Sequence, residues 1–481
     1  MNLGDRLRSV VRPGRSAPPD PSELAPPGGS ASRNPPYVPD LPGSASRNPL
    51  YGTHPGGSAA QDPPYVSPEQ VSHSCAAEVL GGEWRESRGH RYVAVERRYP
   101  VGHRLGRVSV ADCLPAEDGA WPRLSLLLGR STAPVPNPGR TLFVDLETTG
   151  LAGGAGTRAF LVGLGWFDGA SFRVRQLLLT GYVAERVLLE EVADLAARSG
   201  TLVTYNGKTF DVPLIETRFL FHRMPPPFSD VPHLDMLHQA RRLWRPSATS
   251  ESREHGYGGT QTTTCRLSAM EESVLGHVRE NDVAGFEVPS RYFHYVRTGD
   301  ARPLEAVFEH NRLDLLALAM LTATAATLLE EGPAASRTAS EALGLGRVYE
   351  RGGLTEEARA CYARAAALGE SCVVQGEALR AYGVSCRRAG QFDAAAEAWQ
   401  RILALPGCPA HITKDAAEAL AVHHEHRLRN FHAAREFAVH SLELTVSTTR
   451  REAARHRVAR LDRKLGTRVV EPDPAPLFHS A

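Results

Sequence analysis

The sequence predicts an α/β core followed by an all-α region of helical repeats, with a disordered arm in front. Three observations carry that prediction. The run Leu142-Phe143-Val144-Asp145-Leu146-Glu147 reads as a buried strand ending in two acids, and helical segments such as residues 185–197 separate the later strands. From about residue 335, small and aromatic residues recur at helical spacing, with Ala358 and Ala395 standing 37 residues apart. Residues 1–74, in contrast, are rich in proline, glycine and serine.

In chain order, that arm carries Gly29-Ser30-Ala31-Ser32-Arg33-Asn34-Pro35-Pro36-Tyr37, repeated from Gly43 and, degraded, from Gly57. Such a composition buries too little apolar surface to offset the entropy of ordering, so disorder is expected. Residues 75–140 hold strand-like pieces such as Tyr92-Val93-Ala94-Val95 and are expected as a lead-in segment packed on the core. Residues 141–330 form the core, interrupted by a polar stretch at 246–264 without apolar periodicity, which predicts a loop beside the site. Residues 335–465 are the repeats, and 466–481 a tail.

Within the core, Asp145 and Glu147 are two apart on a strand, so both carboxylates project from one face of its end. Like charges that close resist ionising unless a cation sits between them. Hard divalent ions take oxygen ligands of this kind. A strand end whose acids cap a helix or pair with arginines fits the same residues. The run Thr201-Leu202-Val203-Thr204-Tyr205-Asn206-Gly207-Lys208-Thr209-Phe210-Asp211 reads as a short strand, an Asn-Gly turn and a helix opening near Asp211. Finally, His310 and Asp314 lie one turn apart on one face of a helix that continues into the apolar run 315–321. An unpaired charge there would be costly, and simple caps strain to explain all three sites together.

Asp145 and Glu147, Asn206 to Asp211, and His310 to Asp314 resemble the three motifs of the DEDD (DnaQ-like) 3′→5′ exonuclease superfamily. Most of all they resemble its bacterial YprB-like branch. The likeness extends through Gly156-Thr157-Arg158-Ala159-Phe160-Leu161-Val162-Gly163, His233-Leu234-Asp235-Met236-Leu237, Thr298-Gly299-Asp300-Ala301-Arg302 and Phe308-Glu309-His310-Asn311. Upstream, Glu96-Arg97-Arg98-Tyr99-Pro100 looks like the lead-in of that branch, so the likeness covers roughly residues 80–325. It implies a ribonuclease H-like core, a mixed central sheet flanked by helices. It also implies that Asp145, Glu147, Asp211 and Asp314 hold two Mg²⁺ or Mn²⁺ ions, with His310 as general base. Two such ions, about 3.5–4 Å apart, stabilise the attacking and leaving oxygens of a phosphodiester displacement. Members with a histidine base usually place it five residues before the last aspartate, and those with tyrosine four. This chain combines the histidine with the shorter spacing.

Nucleic acid, DNA or RNA, is the partner this implies, as a single strand or an end. Asn206 and Lys208 are candidates to contact its phosphates, and equally suit a turn residue and a solvated cation. Gly207-Lys208-Thr209 is no P-loop, because Leu202 stands where the first glycine belongs. Asp235 suits a structural cap better than a further metal ligand. Gly150, Gly153, Gly154 and Gly156 bracket a flexible turn after the first strand. Net charge is +1, so affinity for nucleic acid must come from local patches. The candidates are residues 85–107 with seven arginines, Arg241-Arg242-Leu243-Trp244-Arg245 with an interleaved aromatic, and residues 450–464.

Seven scattered cysteines without CxxC spacing argue against a disulfide framework or a zinc site and for a reducing, cytoplasmic setting. No signal peptide is visible, and the most apolar stretch, 315–329, is shorter than a membrane span requires. In the tail region Leu345, Gly346, Tyr349, Gly353, Ala358, Tyr362 and Ala365 resemble the signature of a tetratricopeptide repeat. Tyr382, Gly383, Gly390, Ala395 and Trp399 repeat it, and residues 431–434 suggest a third copy. This implies a platform for a protein partner or for self-association. The alternative function is a nucleic-acid-binding or scaffold protein whose catalysis has faded and whose repeats recruit partners.

Overall fold

The computed structural model describes residues 76–114, 121–128, 140–150, 156–244 and 265–466. The repeats of the N-terminal arm, Gly153 and Gly154, the polar insertion at 246–264 and the tail from 467 lie outside the described residues.

Seven strands form one mixed sheet. They are β1 (Glu83–Ser87), β2 (His90–Pro100), β5 (Thr141–Thr148), β6 (Ala159–Phe167), β7 (Ser171–Leu178), β8 (Thr201–Thr204) and β9 (His233–Asp235), in the order β1-β2-β7-β6-β5-β8-β9. A separate two-stranded ribbon joins β3 (Arg104–Leu105) and β4 (Val108–Ser109). Antiparallel pairing runs from β1 through β2, β7 and β6 to β5, and then β8 and β9 add parallel to β5. The lead-in segment therefore supplies two strands of the same sheet. Parallel addition needs a crossover, and helices α1 (Glu185–Ala196) and α2 (Asp211–Phe221) provide the two.

Alternation along β5 explains the layering. Leu142, Val144 and Leu146 face one core with α1, α2 and α4 (Val288–Thr298), where Val192, Phe219 and Tyr292 pack. Phe143 faces the other core, with Asp145 and Glu147 on its side of the strand. That second core is filled by α3 (Met236–Leu243) and by α5 (Glu305–Glu331), whose residues 315–321 are all buried. The helix around α5, Arg302–Ala335, is 34 residues long and apolar enough to cross a membrane, with 72% of its most apolar window buried inside the protein. The stretch read from sequence was too short because α5 begins well before the apolar run.

Beyond α5, helices α6 (Ala339–Arg351), α7 (Thr355–Leu368), α8 (Cys372–Arg388), α9 (Phe392–Leu403), α10 (Ala410–His423), α11 (Phe431–Glu443) and α12 (Thr448–Lys464) each pack on the next. A small residue lies under an aromatic ring in two successive helix pairs. A Cβ on Gly346 would fall 2.5 Å from Tyr362, and one on Gly383 would fall 2.6 Å from Trp399. Both members of the contact recur 37 residues later, so the period in the sequence is a packing period.

Trp244 is buried and donates its indole N–H to Glu341 Oε1 at 2.8 Å, which joins α3 to α6. It is therefore a joint between the core and the C-terminal helical region and is unavailable for stacking on a base. The six described cysteines are free thiols.

Candidate active site

The end of β5 meets the N-terminus of α2 and the second and third turns of α5. Asp145 and Glu147 come from β5, Asp211 is the first residue of α2, and His310 and Asp314 ride on α5. Asp211 faces back toward the strand, where the backbone N–H of Leu146 favours its charged form. The turn that delivers it is organised by Asp235, fully buried, which accepts from the backbone N–H of Asn206 at 2.8 Å, Lys208 at 3.1 Å and Leu237 at 3.1 Å. Asp235 is thus a cap, and Asn206, with φ +67°, is the left-handed corner of that turn. The Lys208 side chain is exposed, and so is Phe210 beside Asp211.

Asp145 is held from below by Asn311, whose Nδ2 donates to its carboxylate at 2.8 Å. Asn311 is fully buried and accepts from Gln176 Nε2 at 2.8 Å, and Gln176 also donates to the Phe308 carbonyl at 2.8 Å. Across the sheet, Gly163 pairs with Asp145, and a Cβ there would lie 2.3 Å from Asn311 Oδ1. Glycine is required here because the amide of Asn311 occupies the space.

The acids repel one another. Burial, followed by the charges of Asp314, Glu147 and Asp211, pushes Asp145 well above the usual carboxylate range, and the Asn311 bond offsets this only in part. Burial raises Glu147 to about 8 against the opposing pull of His310, with Asp314 and Asp211 adding to the rise. Burial likewise raises Asp211 to about 7. His310 moves upward too: burial favours the neutral ring, but Asp314, Asp282 and Glu147 together outweigh it.

A cluster that the sequence reading missed borders these residues. The Arg279 side chain is 6% exposed and lies between Glu271, Asp282 and Asp314. Its Nε donates to Glu271 Oε2 at 2.9 Å, its Nη1 to Asp282 Oδ2 at 3.2 Å, and its Nη2 to both Glu271 and Asp314. Asp282 Oδ1 lies 2.6 Å from His310 Nδ1, and His310 Nε2 lies 3.6 Å from Asp314 and 4.0 Å from Glu147. The sequence signal was faint: a dense charged run, Arg279-Glu280-Asn281-Asp282, without periodicity.

Among the described residues, no three histidine, cysteine or acidic side chains stand close enough to enclose a metal ion as they are. The two-ion cage expected from the resemblance is therefore not preformed. A physical reason is visible in Arg279, whose guanidinium takes an Asp314 oxygen that a cation would otherwise use. The donor chemistry still fits a hard divalent ion. Asp145, Glu147 and Asp211 offer only oxygens, and their repulsion is offset only in part by the Asn311 bond to Asp145 and the pull of His310 on Glu147.

Several members of the basic patches are engaged within the protein. Arg85 pairs with Glu191, Arg97 donates to the Leu80 and Gly81 carbonyls, and Arg98 donates to Ser171. Arg460 and Lys464 both bind Glu425.

Residues 142–326 match the sequence profile of the RNase_H superfamily. The chain is 29% identical, over 373 residues, to the uncharacterized protein YprB of Bacillus subtilis (strain 168), covering 77% of this chain and 85% of that protein. The seven-stranded mixed sheet with its flanking helices is thus a ribonuclease H-like domain, in a chain similar to YprB along most of its length.

Proposed function

We propose that this protein is a metal-dependent nuclease, a 3′→5′ exonuclease of the DEDD type acting on DNA or RNA. The observation that supports this best is the set of buried carboxylates gathered from β5, α2 and α5 without enough positive charge to balance them. Folding tolerates such a cost where function uses it. Asp145, Glu147, Asp211 and Asp314 would hold two Mg²⁺ or Mn²⁺ ions, which when bound supply Lewis-acid stabilisation of the charge that develops on the phosphate. Asn311 orients Asp145, and Asp235 shapes the turn that presents Asp211. His310 takes the proton of the attacking water at Nε2. The water oxygen bonds to phosphorus as the bond to the 3′ oxygen of the preceding nucleotide breaks. That oxygen is then protonated by solvent. Lys208 and Asn206 lie on the turn before Asp211, where the exposed Lys208 would meet a phosphate and the exposed Phe210 a base face. The helical region would act as a tetratricopeptide-like platform for a partner or a second copy.

A second reading has an observation of its own. Arg279 seated on Asp314, with no three of the described side chains arranged to hold a metal ion, suits a domain that has exchanged metal chemistry for an internal ion pair and binds nucleic acid without cutting it. End-labelled DNA and RNA oligonucleotides, single- and double-stranded, incubated with Mg²⁺ or Mn²⁺ and with chelator, separate the two. Cleavage that needs metal and is lost in Asp145→Asn supports the nuclease. Binding without cleavage of any substrate overturns it in favour of the second reading.

A further inference from the structure

The geometry points to Asp282 as a positioning residue for this site, one that fixes the proton of His310 on Nδ1 and leaves Nε2 bare toward Glu147 and Asp314. The inference rests on the nuclease reading above. A neutral imidazole has one N–H and one lone pair, and its neighbours decide which nitrogen carries which. Asp282 Oδ1 stands 2.6 Å from Nδ1, so a lone pair at Nδ1 would face a carboxylate at hydrogen-bond distance, and a proton there is required. Arg279 Nη1 also lies 3.3 Å from Nδ1, but a nitrogen that already donates to Asp282 cannot accept from it. When the ring is neutral, Nε2 is therefore its lone-pair nitrogen, 3.6 Å from Asp314 Oδ2 and 4.0 Å from Glu147 Oε1, on the side where the carboxylates gather.

Asp282 is itself held. Its second oxygen accepts from Arg279 Nη1 at 3.2 Å, and Arg279 is anchored on Glu271, which is fully buried. The chain Glu271–Arg279–Asp282–His310 gives the base the kind of second-layer support that orients a catalytic histidine. It also links the base to Asp314 through the same guanidinium. Removing the Asp282 carboxylate should do more than loosen the ring. Arg279 Nη1 would remain as the donor facing Nδ1 among the described residues, so the proton of the neutral ring should move to Nε2 and block the nitrogen that must accept from water.

The test uses the full chain with ¹⁵N-labelled histidine, His310→Ala identifying the ring signal, with the pH raised until the ring is seen to lose its second proton, because the surrounding carboxylates hold that proton more tightly than usual. We expect the wild type to show a protonated Nδ1 and bare Nε2, and Asp282→Ala to show the reverse. On a labelled oligonucleotide, Asp282→Ala should lose about 10²-fold in kcat, the usual worth of a general base, with KM changed less than about threefold. Asp282→Glu, which restores an acceptor, should recover about tenfold of that loss and return the proton to Nδ1. An unchanged ring signal in Asp282→Ala, or cleavage within about threefold of wild type in a variant that melts like wild type, overturns the assignment. Wild-type protein that never cleaves refutes the role through the nuclease reading, and the ring signal then shows separately whether the geometry also failed.

Discussion

Replacing Gly163 by alanine should unseat Asp145 without touching any acid. The new methyl would lie 2.3 Å from Asn311 Oδ1, 2.7 Å from its Nδ2 and 2.9 Å from its Cγ, all closer than real contacts allow. Asn311 has nowhere to go, because it is fully buried and tied to Gln176 at 2.8 Å. Overpacking of this kind costs about 1–3 kcal/mol, and each buried hydrogen bond that breaks costs about 1 kcal/mol more. With the Gln176–Asn311 and Asn311–Asp145 bonds both strained, the expected loss is about 2–5 kcal/mol, or a melting temperature lower by roughly 2–6 °C for a folded unit of this size. Differential scanning fluorimetry measures this directly, with and without Mn²⁺. The metal-dependent gain in melting temperature should shrink in the variant, because Asp145 is no longer aimed. Gly181→Ala is the control, since nothing lies within 4 Å of the added carbon, and it should stay within about 0.5 kcal/mol of wild type. A Gly163→Ala protein as stable as that control would refute the packing argument.

Asp145→Asn should melt at the same temperature as wild type or higher in chelator, since it removes a repelling buried acid, yet lose both metal-dependent cleavage and the Mn²⁺-induced rise in melting temperature. A Mn²⁺ response equal to wild type would exclude Asp145 as a ligand. Glu147, raised by burial from 4.5 to about 8, stabilises the metal-free fold least at high pH, because an acid with an elevated folded pKa contributes fully below 4.5 and loses that contribution as pH climbs through 8. The advantage of Glu147→Gln over wild type in chelator should therefore grow by a few kcal/mol between about pH 5 and 9, read from urea midpoints. A constant difference across that window would contradict it. Glu185→Gln should cost about 3–5 kcal/mol, because Arg218, 1% exposed, would lose the carboxylate that accepts from it at 2.7 and 2.6 Å. A loss below about 1 kcal/mol would show that the pair is not needed.

The sequence made β5 legible because a strand buried on both faces needs apolar residues at consecutive positions, so acids at its end stand out. Asp211 could be placed at a helix start for a similar reason: the Asn-Gly turn before it leaves few backbone choices. What could not be read was the partner of each acid. Asn311 stood inside a quoted motif and Gly163 inside another, but their contact joins α5 to β6 across 148 residues and depends on the sheet order. Arg279 and Asp282 sit in an irregular segment where no period marks an inward face. They gain meaning only when His310 and Asp314 are beside them. Trp244 was misread for the opposite reason. Its flanking arginines suggested a solvated patch, whereas the side chain that decides its place, Glu341, lies 97 residues away.

Helix α5 puts two duties on one rod. Its 27 residues span about 40 Å, with His310 and Asp314 near one end and Leu328 and Leu329 near the other. The Leu329 carbonyl accepts from the Tyr349 hydroxyl at 2.7 Å, and the apolar seam that begins under β5 runs without a break to Leu420. Shortening the chain near residue 332 would therefore tear open a continuous interior instead of severing a tether. The array can be lengthened or trimmed only from its distal end, and whatever grips that end pulls on the same beam that carries the histidine.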